Sequence, residues 1–203
     1  MKIFVIDRPV DSWDPLWDKA LEADAAPRPD ILPLTMGADS ALVRQGFPCF
    51  LPDFARAGWE LRLAPVLRVS RLGKWIEPRF AHRYIDALTI AAILRPAGPF
   101  LPVFDGAITP GAFIPFPLPP RASLSAAANG GESIEFPLSA EALRAPETLA
   151  LISRSTTLKS GDLIIPAMLP AAFPARIGLD IAASLATESP EPPQRPLLRA
   201  RVK

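Results

Sequence analysis

Apolar and polar positions alternate in residues 59–64, with Trp59, Leu61 and Leu63 in one set and Glu60, Arg62 and Ala64 in the other. Successive side chains of a strand point to opposite faces, so the pattern predicts a β-strand over 59–70 with two different faces. Pro65 inside it predicts a bulge or an edge. Residues 88–94 form an unbroken apolar run closed by Arg95 and Pro96, which predicts a buried strand. Further strands are predicted at 2–6, at 163–165 after the turn Ser160-Gly161-Asp162, and at 197–202. Helical spacing is shorter and rarer. Residues 12–26, with Trp13, Leu16, Trp17 and Leu21, predict a loop or short amphipathic helix, and residues 140–153 a helix interrupted at Pro146. Pro78 occupies a first-turn position, after which Phe80, Ala81, Tyr84 and Ile85 share one face of a short helix while Arg79, His82 and Arg83 point elsewhere. Asn129-Gly130 favours a tight hairpin turn.

Proline changes this picture most. The chain has 26 of them in 203 residues, and each removes a backbone donor and fixes φ, so long helices and deep central strands are disfavoured where they cluster. The expected class is mixed and mainly β, with short strands, a few short helices and irregular Pro-rich loops. One domain over residues 1–203 is expected, long enough to bury a core without disulfides. Net charge is +1 with the basic residues spread along the chain, so neither nucleic acid nor an anionic membrane is expected as a partner. The single cysteine, Cys49, excludes an intrachain disulfide and reads as a small buried hydrophobe in a reducing, cytoplasmic setting. Asp7 follows too soon after the start for a signal-peptide core. The most apolar regions, 85–104 and 163–185, are broken by Arg95, Pro96, Pro99 and Pro102 and by Pro166, Pro170, Pro174 and Arg176, so neither is expected to span a bilayer.

The run RLGKWIEPRFAHRYIDALTI at 71–90 resembles a signature stretch of the fumarylacetoacetate hydrolase family. PDF at 52–54, FDG at 104–106, FIP at 113–115 and TLKSGDLI at 157–164 resemble further landmarks of that family in its order, and Asn129-Gly130 falls where it often has a hairpin. The resemblance implies a β-roll or sandwich, a homodimer, and a divalent metal used to hydrolyse, decarboxylate or isomerise acylpyruvate-like oxo-acids. It also implies where the metal ligands should stand. A hard cation wants carboxylate oxygens converging from a rigid sheet. The family's Glu-x-Glu pair falls on Arg62 and Ala64, and its Asp on Ile93.

The other functional positions implied by the resemblance are equally altered. Its His-x-x-Glu falls on Ser12 and Pro15, its lysine before FDG on Pro102 or Val103, and its threonine-glycine-threonine-proline loop on Pro166, Ala167, Met168 and Leu169. The segment 93–104 is short for the family, which removes its lid and substrate anchors. The expectation is a catalytically inactive chain without a cofactor, kept as a structural, partner-binding or small-ligand-binding protein. An oxo-acid-like ligand or an intact paralogue is the expected kind of partner. The alternative is a hydrolase or lyase on oxo-acids with a rebuilt site. Arg62 is expected to enter the former metal pocket, with Glu60 or Asp105 as its acid and Phe104 nearby. His82, the only histidine, reads as a solvated or structural residue, and Asp105, Asp162 and Asp180 as turn residues.

Overall fold

The computed structural model describes residues 1–22, 33–44, 46–54, 57–97, 104–118, 121–138, 143–186 and 196–203. Pro99, Pro102, Val103, the beginning of the helix expected from residue 140 and most of the loop expected at 189–196 lie outside the described residues.

The alternating stretch forms β3 (Trp59–Val69), and the apolar run lies within β4 (Ile85–Pro96). They pair antiparallel from Trp59↔Pro96 to Leu67↔Leu88, and the register shifts between Arg68 and Val69. β1 (Lys2–Ile6) pairs antiparallel with β2 (Leu34–Ala38) and parallel with β9 (Leu163–Ile165). With β5 (Ile108–Pro110) these make the path β2-β1-β9-β3-β4-β5 of an eight-stranded sheet. β6 (Ile114–Pro115) joins it at β4 and β10 (Ala172–Ala175) at β3. A smaller sheet contains β7 (Ser123–Ala128), β8 (Ile134–Pro137), β11 (Asp180–Ala186) and β12 (Leu198–Arg201), in the order β12-β11-β7-β8. Mainly β with short helices is thus the observed class.

The large sheet is covered on both faces, which is why residues 88–94 read as continuously apolar. Leu61, Leu63, Leu67, Leu88 and Ile90 belong to one core, shared with Leu124 and Ile181 of the small sheet. Ala64, Val66, Ala91 and Ile93 belong to a second, with Ile3, Val5, Ile165 and Met168. Each fully buried Leu or Ile contributes about 1.5–3 kcal/mol relative to exposure.

Pro65 makes no bulge, and the edge it marks is local. It pairs with Ile90 in register, while β10 covers β3 only at 59–62 and β9 only at 67–68. Its missing N–H falls in the interval between those two neighbours, where a donor would meet no strand among the described residues.

The helix expected within 12–26 is α1 (Pro15–Glu22), and Trp17 seals it against the first core. The second, α2 (Ala145–Ser155), has Pro146 in its first turn, where a proline without N–H is suited, and follows a break at Arg144, which has left-handed φ of 45°. Residues Pro78–Arg83 form a 3₁₀ helix, and Ile85 belongs to β4. Asn129 and Gly130 both have positive φ, 52° and 67°, as a two-residue hairpin turn demands. Among the described residues no helix is long and apolar enough to cross a membrane.

Candidate functional site

Cross-strand register decides what stands where the resemblance implies a metal. Arg62 on β3 lies opposite Ile93 on β4, and Ala64, two residues on, shares their face. Ala64 is fully buried and Ile93 is 3% exposed, both inside the second core with Ile108 and Met168. Two of the three positions therefore contribute hydrocarbon to a packed interior.

The third carries a cation that is already neutralised. Arg62 Nε donates to Glu60 Oε1 at 2.9 Å. The same oxygen lies 3.1 Å from Nε of Arg95, which is Glu60's partner across the strands. Arg95 Nη1 reaches Asp7 Oδ1, beyond the end of β1, at 3.4 Å. Arg62, Glu60, Arg95 and Asp7 so form a chain of alternating charge along one edge of the second core. Arg95 is its most buried member, with a side chain 5% exposed, against 18% for Glu60 and 30% for Arg62. The charges sum to zero, which removes the electrostatic attraction a divalent cation would need. A hard cation asks for convergent free carboxylates. This donor set, an arginine-capped glutamate beside Ala64 and Ile93, does not fit one.

Asp105 is the acid that does not join. It accepts from Ser40 Oγ at 2.6 Å, in the turn closed by Ala107 N–H on the Phe104 carbonyl. Phe104 instead packs on the second core and meets Phe54 and Trp59 edge-on, with centroids 5.4 Å away in both cases.

The segment holding Ser12 and Pro15 goes elsewhere. Pro15 opens α1, whose Trp17 lies in the first core, whereas Ala64 and Ile93 lie in the second. What organises the segment is Arg8, buried at 4% exposure. Its guanidinium donates to the carbonyls of Pro9, Ser12 and Leu143 and lies against the rings of Trp13 and Trp17. Burial first, and the neighbouring Arg144 second, lower its pKa to about 10 despite the opposing effect of Asp11. The Pro166–Leu169 stretch is buried and held by backbone bonds, Met168 N–H to Arg8 and Leu169 N–H to Leu63.

Asp162 is a turn residue, accepting the N–H groups of Lys2 and Lys159. Asp180 is not. It begins β11 and accepts from Arg199 and Arg201 of the neighbouring strand. Burial alone would raise its pKa, but the hydrogen bonds and charges of the two guanidiniums outweigh it and leave the carboxyl below its ordinary range. His82 is exposed on the 3₁₀ helix. Sequence reasoning missed Arg8, Arg95 and Asp7 as organising residues. Arg95 was findable, because two residues past Ile93 it must share that position's face.

The two-sheet fold is shared with solved structures of the fumarylacetoacetate hydrolase family. No family model and no curated protein matches the chain. Among solved structures, 5-carboxymethyl-2-hydroxymuconate delta-isomerase from Mycobacterium smegmatis superposes with a TM-score of 0.75 at 16% identity, covering 99% of this chain and 78% of that one. 2-Hydroxyhepta-2,4-diene-1,7-dioate isomerase from Mycobacterium marinum gives 0.73 at 16% identity, with 99% and 73% covered. Fumarylpyruvate hydrolase from Pseudomonas aeruginosa, solved with Mn²⁺ and pyruvate, gives 0.72 at 14% identity, with 100% and 89% covered. The chain has the fold of these family enzymes.

Proposed function

We propose that the chain is a catalytically inactive member of the fumarylacetoacetate hydrolase family, retained as a structural, partner-binding or small-ligand-binding protein. The observation that carries this reading is the Arg62–Glu60–Arg95 ion cluster at the implied metal position. Inserting a cation there would require breaking paired charges at the edge of a core, and Ala64 and Ile93 would offer it no side-chain oxygen. Ser12 and Pro15 supply no strong base near neutral pH. The wider family setting supports a homodimer, and the apolar content of 49% supports an apolar contact surface; light scattering across a wide concentration range tests it.

The test is turnover. Highly purified protein is incubated with acylpyruvates and with oxaloacetate, in Mg²⁺ and in Mn²⁺, beside a buffer blank. No hydrolysis or decarboxylation above the blank is expected, since groups that act as a unit leave little activity when all are replaced. Turnover that disappears on heat denaturation would instead establish a hydrolase or lyase with a rebuilt site.

A further inference from the structure

The stretch 70–84 contains four cations, Arg71, Lys74, Arg79 and Arg83, and one acid, Glu77, although the whole chain is only +1. It also presents large apolar groups to solvent. Leu72 is 68% exposed and Trp75 is 52% exposed. Trp75 has φ of 55°, a left-handed conformation that is an outlier for a bulky residue and whose strain marks functional segments. That conformation is held from below. Trp75 N–H donates to the Ser153 carbonyl at 3.1 Å, and Ile76 N–H to Ser153 Oγ at 2.9 Å. Gly73 exchanges two backbone bonds with Leu158, and a Cβ there would lie 2.5 Å from the Tyr84 ring. The indole is therefore presented on a rigid base. On the 3₁₀ helix that follows, the Phe80 ring lies 4.7 and 4.9 Å from the guanidiniums of Arg79, which also pairs with the exposed Glu77 at 2.8 Å, and Arg83.

Behind the same 3₁₀ helix opens a cleft of about 350 Å³. Its walls are Ala81, Ile85, Phe116 and Ala145, with His82 and Glu147 among the polar lining. It lies on the first-core face, at the opposite end of β4 from Ile93. The cleft is thus separate from the arginine cluster, and a role for it goes beyond the proposed function.

We propose that this surface docks an acidic segment of a partner protein, with one large apolar side chain seated in the cleft and carboxylates meeting Lys74, Arg79 and Arg83. Charge complementarity selects the acidic partner. Trp and Arg are the residue types that dominate interface energetics, and a rigid Trp75 loses little entropy on binding. The concave cleft argues against a bilayer, which is flat and would use only the protruding Leu72 and Trp75. The apolar walls of the cleft, Ala81, Ile85, Phe116 and Ala145, suit an aliphatic or aromatic side chain and offer a phosphate backbone no partner.

The experiment selects short random peptides displayed on phage against the full-length folded protein. The expected outcome is enrichment of peptides with several Asp or Glu around one Leu, Ile, Phe or Trp, whose binding weakens with added salt. Synthetic copies should bind about tenfold or more weakly to the R79E/R83E double variant and to Trp75→Ala. Circular dichroism melting verifies that each variant folds. Arg79 is 71% exposed at its side chain, so the double variant carries the test if Trp75→Ala fails to fold. No enrichment, enrichment without acidic bias, or affinities unchanged in the variants overturns the proposal. So does tighter binding to phosphatidylserine vesicles or to oligo(dT) than to the selected peptides, which would assign the surface to a membrane or a nucleic acid.

Discussion

Arg95 lies 3.1 Å from Glu60 at its Nε and 3.4 Å from Asp7 at its Nη1, so one guanidinium joins the start of β3 to the end of β1 from within the protein. Arg62 meets Glu60 from the more exposed side. This ranking leads to a stability prediction. Arg95→Met removes the 5%-exposed cation, takes a partner from Asp7 and leaves Glu60 with Arg62 alone, and should cost on the order of 3 kcal/mol. Arg62→Met leaves Glu60 with Arg95 and, at 30% exposure, should cost about 1 kcal/mol or less. Urea denaturation of the two variants measures the difference, and equal costs would place Arg62 rather than Arg95 at the centre of the cluster.

Millimolar Mg²⁺ or Mn²⁺ should leave the melting temperature unchanged. A native-state site saturated at 100 times its dissociation constant would contribute about 2.7 kcal/mol, readily visible in a thermal melt. A rise reversed by chelator would mean that carboxylates near Glu60 and Asp7 rearrange to bind the ion, and the inactive reading would fall with it.

Gly111 is expected to tolerate no side chain. A Cβ there would lie 2.3 Å from the Leu197 carbonyl oxygen and 3.0 Å from that of Ile90, both backbone atoms. Gly111 N–H donates to the Ile90 carbonyl and Ala112 N–H to that of Leu197, so the contact joins β4 to the chain entering β12. Gly111→Ala should lose about 2 kcal/mol through forced separation of packed backbone. A melting temperature within a degree of the wild type would show that this junction is looser than described.

Trp75→Gly should be more stable than Trp75→Ala by about 1 kcal/mol, since glycine adopts positive φ without the Cβ penalty that alanine keeps. Comparing two truncations cancels the loss of the indole. If alanine proves the more stable, the left-handed conformation is not a feature of the protein in solution.

Asp180 makes the pH prediction. Its carboxyl is held below the ordinary value, so the folded state favours the ionised form, and the resulting stability is fully present above the unfolded value of about 3.9. It is lost as pH falls through the lowered folded value. The stability difference between wild type and Asp180→Ala should therefore be level from pH 7 to about 5 and shrink below about 4. A difference that stays constant in acid would mean that packing rather than charge makes it.

How much of this was legible depends on what each residue had to signal. Period and turn chemistry locate β1, β3, β9 and the Asn129-Gly130 turn because these are local properties of the chain. The landmark stretches lead to the fold, and counting from them leads to Arg62, Ala64 and Ile93 on one face. Pro65 announced a bulge or an edge, and the edge is local: β10 and β9 leave a gap beside it that only tertiary structure locates. Asp180 misled because a Gly178-Leu179-Asp180 sequence looks like a turn, while its partners Arg199 and Arg201 are some twenty residues away. Arg8 carried no signal at all. Its partners are mostly backbone carbonyls, and those are invisible in a sequence.

The parallel pairing of β1 with β9 also sets a timetable. Lys2 and Asp162, bonded at 2.8 Å, are 160 positions apart in the chain. At a synthesis rate of about 5–20 residues per second, the first strand waits roughly 8 to 30 seconds for its neighbour to be made. β2 follows soon enough to pair one edge of it, but the other edge, which β9 fills, stays unpaired meanwhile. Contacts this distant slow folding and lengthen exposure to wrong strand partners. The nascent chain should therefore lean on chaperones during that interval, and heterologous yield should improve when translation is slowed or cooled.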